Sequence, residues 1–385
     1  MNITRYWDWD FSHVRSDISF AEASEETRRL FEQAVTRQLV SDVPVGAYLS
    51  GGMDSGSIVA VASRSLPHMP TFTGGFDLSS VSGLEVGFDE RKHAETMASA
   101  FRTQQYEMVM HVGDMALVLP HLTWHMEDLR MGMSYANWYA AHLASKFVKV
   151  VLSGAGGDEL FAGYPWRYAP LIDTWSLAEF DALAYHYWQR LIPTEDRPDF
   201  FTHWHETKGE SRSIIEGVLS DAPESRLNRA LYFEAKTFLH GLFIVEDKIS
   251  MAHSLEVRVP FLDNDLVDFV LTIPASYKYQ QGKGKLVLRD AMKSIIPDAI
   301  LSRKKQGFSS PDGSWYRGET MGYIKEILLC PKTLGRGYFQ PAYIRKVVDE
   351  HMEGKRNHRL LLWSLLSFEH WCRIFLDGEV LCESR

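Results

Sequence analysis

Residues 45–55 read Val-Gly-Ala-Tyr-Leu-Ser-Gly-Gly-Met-Asp-Ser, and this stretch decides the fold. Its first five residues predict a buried strand, and the run Ile-Val-Ala-Val-Ala at 58–62 predicts a helix after it. A Ser- and Gly-rich turn between a strand and a helix is how α/β proteins hold a phosphate. The glycines let the backbone approach the anion, exposed N–H groups point at it, and the helix dipole favours negative charge. We therefore expect a phosphate site at 50–55.

The hexapeptide at 50–55 also indicates the kind of phosphate chemistry. The chain has no G-x-x-x-x-G-K-[ST], so this is not the loop of kinases and GTPases. S-G-G-x-D-S is the pyrophosphate loop of enzymes that cleave ATP to AMP and pyrophosphate and so activate a carboxylate as an acyl-adenylate. The alternative is an ordinary glycine-rich turn, which the complete motif between a strand and a helix disfavours.

Bulk composition narrows the class of protein. The chain has 385 residues, of which 45% are hydrophobic and 24% charged, as is ordinary for a globular protein. Its net charge of −9 argues against a nucleic-acid binder or a membrane-surface protein. The three cysteines form no C-x-x-C, and no signal peptide or transmembrane stretch is apparent. We therefore expect a cytoplasmic protein that binds neither nucleic acid nor membrane.

Strand and helix patterns alternate along the first half of the chain. Further strands are predicted at 71–76, 105–110 and 148–152, and helices at 21–40, 90–101 and 135–147. This β–α alternation, with apolar strands such as the one at 148–152, predicts an α/β fold with a parallel sheet covered by helices. The expected organisation is an N-terminal arm at 1–20, an ATP-binding core at 21–175 and a mainly helical half at 176–385.

A second glycine-rich loop, Ser-Gly-Ala-Gly-Gly-Asp-Glu, begins at Ser153 after the strand at 148–152. Ligands of open parallel sheets lie at the carboxyl ends of the strands, so both loops should face one crevice. Glu159 breaks the pattern G-x-G-x-x-G, which argues against a dinucleotide site. Asp158 is instead expected to hold a magnesium ion that bridges phosphates, with Asp54 as the second carboxylate. The alternative is that the two acids merely begin a helix.

Two later segments carry charged residues among apolar ones. Residues 282–289 open a helix after a glycine-rich turn, and Lys285 there is placed to reach an α-phosphate or a developing oxyanion. The alternative interpretation is that Lys285 is a solvated surface lysine. The stretch 247–263 places acids and Arg258 amid apolar residues, which predicts a buried, paired polar network with a structural role.

Taken together, these segments resemble the synthetase half of the asparagine synthetase family. The resemblance rests on residues 41–46, 50–55, 153–164, 255–263, 285–289 and 303–308, with Pro311 and Trp315. It implies a pyrophosphate-loop α/β fold of the adenine nucleotide alpha hydrolase-like kind. It also implies the use of ATP and Mg2+, an aspartyl-adenylate-type intermediate, and amide formation by attack of ammonia or an amine.

The resemblance also implies roles for individual residues. Those that would bind pyrophosphate are Ser50, Gly51, Gly52, Asp54 and Ser55. Those that would border the adenylate are Leu49, Phe76, Ser153 and Gly154. Asp54 and Asp158 would serve magnesium, and Lys285 would stabilise the adenylation transition state.

The sequence departs from the family at its start. The family normally begins with a glutaminase domain whose nucleophile is a cysteine directly after the initiator Met, whereas Asn2 follows Met1 here and no cysteine precedes Cys330. Glutamine hydrolysis by this chain is therefore not expected. The nitrogen would come from free ammonia, from a separate glutaminase chain or from an amine of the substrate. A homo-oligomer is a further expectation that the sequence leaves open.

A second departure is Ala155, where asparagine synthetases carry a glutamate and lactam-forming relatives a tyrosine that handle the proton of the attacking amine. Alanine transfers no proton. Either Glu127, Asp128 or Glu159 substitutes, or the nucleophile needs no such help. We expect a synthetase that adenylates a carboxylate, aspartate or a related acid, and converts it to an amide. The alternatives are a lactam- or peptide-cyclising synthetase of specialised metabolism, and a nucleotide-binding regulatory subunit without catalysis.

Overall fold

A parallel five-stranded sheet organises the chain in a computed structural model that describes residues 3–130, 132–204, 210–303, 305–307 and 309–380. The strands are β1 (Val45–Tyr48), β2 (Pro70–Phe76), β3 (Gln104–Met110), β4 (Val150–Leu152) and β5 (Glu256–Arg258). Their order across the sheet is β3-β2-β1-β4-β5, and all four pairings are parallel. The predicted α/β fold with a parallel sheet is therefore confirmed.

Helices surround the sheet. Those of the first half are α1 (Phe20–Arg37), α2 (Met53–Ser65), α3 (Arg91–Phe101), α4 (Asp114–Met126), α5 (Tyr135–Ser145), α6 (Gly157–Phe161) and α7 (Pro165–Ile172). Those that follow are Leu177–Trp188, Arg197–Phe200, Glu210–Ser220, Arg226–Glu234, His240–Ala252, Asn264–Thr272, Ala275–Lys278, Leu286–Ala291, Asp298–Leu301, Asp312–Trp315, Met321–Leu328, Pro331–Leu334, Pro341–Met352 and Arg359–Trp371. Short 3-10 turns lie at Gly83–Phe88, Thr194–Asp196 and Pro260–Leu262, π turns at Ala235–Leu239 and Cys372–Leu376, and a small hairpin pairs Tyr279–Gln280 with Lys283–Gly284.

Two apolar clusters cover the two faces of the sheet. Successive side chains of a strand point to opposite faces, so β4 contributes Leu152 to one cluster and Val151 to the other. The first cluster includes Phe31 of α1, and the second includes Leu119 of α4. Burial on both faces explains the apolar runs of the central strands β1 and β4. Because both faces are covered, the polar loops lie at the carboxyl ends of the strands.

The main boundary that differs from the sequence expectation lies inside the pyrophosphate-loop motif. The apolar pattern predicted a helix at 58–62, whereas α2 begins at Met53. Asp54 and Ser55 therefore belong to the first helical turn and not to the preceding loop. The helical N–H groups that no intrahelical carbonyl satisfies are thus presented by the motif itself.

Strand β5 was not predicted, and the expectation of one buried polar network at 247–263 is wrong in part. Asp247 and Glu256 are exposed, and Arg258 pairs with Glu256 at 2.6 Å. Only Asp263 has the expected character, because it is buried and its Oδ2 lies 2.9 Å from Nη1 of Arg37. Strand β5 lies at the edge of the sheet, where exposed charged side chains are tolerated and an apolar pattern is not required.

Within the described residues, we find no helix that combines the length and the apolar character needed to span a bilayer.

Candidate active site

The two glycine-rich loops contact one another at the carboxyl edge of the sheet. They follow β1 and β4, which are neighbours in the sheet. Gly154 permits the contact, since a Cβ atom at that position would lie 3.1 Å from the backbone N of Ser55 and 3.2 Å from Cβ of Asp54. A side chain at position 154 would therefore push the loops apart. The expectation that both loops face one crevice agrees with this geometry.

The loop at 50–55 is closed by hydroxyl groups. The backbone N–H of Ser50 donates to Oγ of Ser55 over 3.2 Å, and Oγ of Ser55 donates to the carbonyl of Gly52 over 3.2 Å. Gly51 has a φ of +75°, and a Cβ there would lie 2.8 Å from Cβ of His93. Only glycine satisfies both conditions. The tight turn delivers the chain to the N-terminus of α2, where the helix dipole favours an anion.

Two buried carboxylates and two lysines meet where the loops touch. Nζ of Lys285 lies 2.5 Å from Oδ2 of Asp54 and 2.5 Å from Oδ1 of Asp158. Nζ of Lys305 lies 2.6 Å from the other oxygen of Asp158. Asp54, Asp158 and Lys285 are exposed to 7%, 6% and 4%. The alternative of a solvated surface lysine at position 285 is therefore wrong, because this lysine bridges both acids in the interior.

The backbone holds Lys285 in place. Its φ of 60° lies in the left-handed region, which is costly for a residue with a side chain. Its N–H donates to the carbonyl of Phe161 over 2.9 Å, and its own carbonyl accepts from the N–H of Arg289 over 2.8 Å. A side chain at Gly163 would collide with the carboxylate of Asp158 and approach Cε of Lys285 to 2.5 Å. These contacts aim the ammonium group at the junction of the loops.

The opposite charges of this cluster stabilise one another in the interior. Burial raises the pKa of Asp54, and the ammonium of Lys285 opposes that rise. Burial acts in the same direction on Asp158, but Lys285 and Lys305 outweigh it and keep the pKa of Asp158 below its usual range. The same carboxylate raises the pKa of Lys305 against the effect of burial. The four groups sum to zero formal charge, which is what allows them to share a buried site.

The two carboxylates fit a magnesium ion. Their oxygens are the ligands Mg2+ prefers, and Mg2+ usually takes one or two carboxylates, with phosphates and water completing the shell. Among the residues that the structure describes, no group of three or more His, Cys, Asp or Glu side chains is arranged to hold a metal. If a magnesium ion binds at the junction of the loops, Asp54 and Asp158 are the two carboxylates that would hold it.

Side chains expected to border the adenylate differ in their surroundings. Those of Leu49 and Phe76 are exposed to 1% and 0%, and the Phe76 ring packs against Trp315 with centroids 6.0 Å apart. Both side chains are therefore part of the core, and the carbonyl of Leu49 accepts the hydroxyl of Thr73 over 2.8 Å. Ser153 is buried at the end of β4 and donates its hydroxyl hydrogen bond to Glu246 over 2.9 Å.

The three acids expected to compensate for Ala155 lie in different places. Glu127 is exposed and pairs with Lys248 at 2.6 Å, and Asp128 is exposed and accepts from the N–H of Leu129. Glu159 is buried in α6 and accepts the hydroxyl of Tyr164 over 2.7 Å. Burial and the nearby charge of Asp158 raise the pKa of Glu159. Only Glu159 therefore belongs to the glycine-rich loops.

Sequence reasoning assigned no role to Arg303, Glu90 or Lys305, which complete the cluster. Nη1 of Arg303 donates to the carbonyl of Gly51 over 3.2 Å and to Oε1 of Glu90 over 2.6 Å. The signal was the basic run at 303–305, which the family resemblance included without a function. Arg303 thus brings a cation to the first loop and Lys305 brings one to the second, as phosphate binding requires.

Comparisons with known proteins show the family of the chain. A family model for asparagine synthase matches residues 26–373. The chain belongs to the asparagine synthase family. Asparagine synthetase [glutamine-hydrolyzing] 1 of Bacillus subtilis is 28% identical, over 98% of this chain and 63% of the relative. A putative asparagine synthetase of Mycobacterium tuberculosis is 31% identical, over 98% of this chain and 62% of the relative. The chain thus spans a little under two thirds of the length of these relatives.

A solved structure, an NH3-dependent NAD synthetase from Campylobacter jejuni, aligns with 73% of this chain and 98% of its own. Its sequence identity is 15% and its TM-score is 0.24, which is too low to bear on function. Family membership therefore rests on the sequence match.

Gly157→Ala should destabilise the protein. A Cβ at this position would lie 2.9 Å from Cγ and Oδ1 of Asp54, a side chain pinned by Lys285, and 3.2 Å from the Phe261 ring. Overpacking of this kind costs about 1–3 kcal/mol in the free energy of unfolding. The matched control is Gly217→Ala on an exposed helix, where nothing lies within 4 Å and a gain of up to about 1 kcal/mol is expected. Urea unfolding of both variants is the measurement, and equal midpoints would contradict the packing described.

Proposed function

We propose that this chain is an ATP-dependent, AMP-forming amide synthetase that adenylates a carboxylate, aspartate or a related acid. The adenylate would then be attacked by ammonia or an amine. The observation that carries the proposal is the position of Lys285 between Asp54 and Asp158, at the junction of the two loops. Membership of the asparagine synthase family supports the same reaction class.

Each part of the site has a task in this proposal. The N–H groups and hydroxyls of residues 50–55 bind the leaving pyrophosphate, as a helix N-terminus with serine side chains suits. A magnesium ion held by Asp54 and Asp158 would neutralise phosphate charge. Lys285 turns its ammonium from the carboxylates to the α-phosphate oxygens, where negative charge develops as the acid attacks. Since these groups are buried, their electrostatic effects are weakly screened by water.

The proposal is tested by product analysis. The chain is incubated with Mg-ATP, L-aspartate and ammonium chloride, and nucleotides are separated by liquid chromatography with mass detection. We expect AMP and pyrophosphate in equal amounts, dependent on the acid, together with asparagine. Formation of ADP and phosphate, or AMP release that no acid stimulates, would contradict an adenylation mechanism.

The same assay also tests two alternative functions. A lactam- or peptide-cyclising synthetase would show turnover of a larger substrate without ammonia. A regulatory subunit without catalysis is disfavoured by the complete set of Asp54, Asp158 and Lys285. A separate glutaminase chain as ammonia donor, a homo-oligomer and a cytoplasmic location remain predictions.

A further inference from the structure

Glu246 brings a carboxylate to the second loop from a distant part of the chain. It lies on the helix His240–Ala252, and its Oε1 accepts the hydroxyl of Ser153 over 2.9 Å. The same Ser153 oxygen accepts the backbone N–H of Ala155 over 3.3 Å. One serine hydroxyl thus connects the carboxylate to the residue whose side chain has no proton to transfer.

The second oxygen of this carboxylate has no partner in the structure. Oε2 of Glu246 is buried, and no hydrogen bond reaches it from the described residues. Among the described residues, no lysine or arginine forms an ion pair with it, and burial raises the pKa of Glu246 to about 7 against the hydrogen bond from Ser153. The titratable neighbour on the sheet is Tyr48 at the end of β1, whose pKa is raised by its own burial and by Glu246. An unsatisfied buried carboxyl oxygen is costly to keep.

We infer that Glu246 is a catalytic base that binds the attacking ammonium or amine through Oε2 and accepts its proton. The inference rests on the proposed function, because it needs an adenylate at the loop of Ser153. The geometry selects Glu246 over the other acids. Glu127 and Asp128 are exposed, and Glu159 is engaged by Tyr164.

Amide formation from the adenylate and ammonium releases AMP and two protons. Glu246 takes one proton from the ammonium, and the freed lone pair forms the C–N bond to the acyl carbon. The C–O bond to the α-phosphate breaks, and its electron pair leaves with AMP. The second proton lost from nitrogen and the one on Glu246 both pass to solvent, which regenerates the carboxylate.

The test separates adenylation from amide formation in the full-length protein. Glu246→Gln keeps an acceptor for Ser153 but removes the base, and Asp247→Asn on the exposed side of the same helix is the matched control. Aspartate-dependent pyrophosphate release without ammonia measures the first step, and asparagine formed from ammonium chloride measures the second. We expect Glu246→Gln to keep the first rate within about threefold and to lose the second by about a hundredfold or more.

Two further readouts distinguish a base from a structural residue. With ammonium chloride, the wild-type rate should rise with pH through about 7 and then level off as the carboxylate forms. The rate of Glu246→Gln should keep rising, because only free ammonia reacts. Hydroxylamine, which is largely unprotonated at neutral pH, should restore much of the lost rate in Glu246→Gln, and Glu246→Asp should retain an intermediate rate.

Each remaining outcome overturns the inference. Wild-type amide synthesis by Glu246→Gln would show that no proton passes through this residue. Equal loss of pyrophosphate release and amide formation would make it a positioning residue of the nucleotide site. If the wild-type chain releases pyrophosphate but uses no amine, the base is refuted while adenylation stands; if it releases none, the proposed function fails and the inference falls with it.

Discussion

Lys285→Ala should lower acid-dependent pyrophosphate release by about a hundred- to a thousandfold, the cost of removing one charged donor from a preorganised anion site. The ammonium lies 2.5 Å from a carboxylate oxygen of Asp54 and 2.5 Å from one of Asp158, in a site shielded from water. Its loss removes the group placed to meet the α-phosphate. The measurement is the initial rate of aspartate-dependent pyrophosphate release from Mg-ATP.

The matched control for this variant is Lys293→Ala, an exposed lysine eight positions further along, for which we expect an unchanged rate. Lys285→Ala also leaves two buried carboxylates without their bridging cation, so its stability must be measured by urea unfolding in parallel. Lys285→Met, which preserves much of the side-chain volume, separates packing from charge. A folded Lys285→Met variant with wild-type pyrophosphate release would rule out the assigned role.

Glu234→Gln should cost about 3–5 kcal/mol of unfolding free energy, the range for breaking a buried ion pair by removal of one partner. Glu234 and Arg167 are exposed to only 3% and 7%, and their atoms Oε1 and Nη1 lie 2.9 Å apart. The other oxygen of Glu234 accepts the hydroxyl of Tyr168 over 2.6 Å. The variant leaves a buried guanidinium without a negative partner. Urea unfolding at neutral pH measures the loss.

The control for Glu234→Gln is Glu26→Gln, since Glu26 pairs with Arg29 at 2.6 Å but on an exposed helix face. Such a surface pair contributes about 0–1 kcal/mol. Similar unfolding midpoints for the two variants would contradict the assignment of a buried structural pair to Glu234.

The Arg167 pair also supports the second glycine-rich loop. The guanidinium of Arg167 lies 3.9 Å from the ring centroid of Tyr164, whose hydroxyl donates to Glu159. Loss of the pair should therefore loosen α6 and α7 together. This link explains why an acid in the helical half bears on the loop that carries Asp158.

The fold and the first loop follow from local sequence. Apolar strands buried on both faces, separated by helical patterns, specify a parallel sheet, and the motif at 50–55 specifies what its edge binds. β5 escaped prediction because it has only three residues, at the edge of the sheet, and its polar–apolar–polar pattern is too short to specify a strand. The exposure of Asp247 and Glu256 made the predicted polar network at 247–263 wrong in part.

The contacts between the site residues could not be predicted from local sequence. Lys285 was proposed from its glycine-rich setting and the family resemblance, but its contact with Asp54 joins positions 231 residues apart. Glu246 lies 93 residues from Ser153, within a run dominated by apolar residues. Nothing in its immediate sequence marks it as part of the loop. Such contacts are properties of tertiary packing, which places separate elements against the same strand ends.

The most direct measurement of the central claim is oxygen transfer from the acid to AMP. The chain is incubated with Mg-ATP, ammonium chloride and L-aspartate labelled with 18O in its side-chain carboxylate, and AMP is analysed by mass spectrometry. An acyl-adenylate formed at the site of Lys285, Asp54 and Asp158 predicts one 18O atom in the phosphate of AMP. Unlabelled AMP, or label found only in inorganic phosphate, would contradict the account.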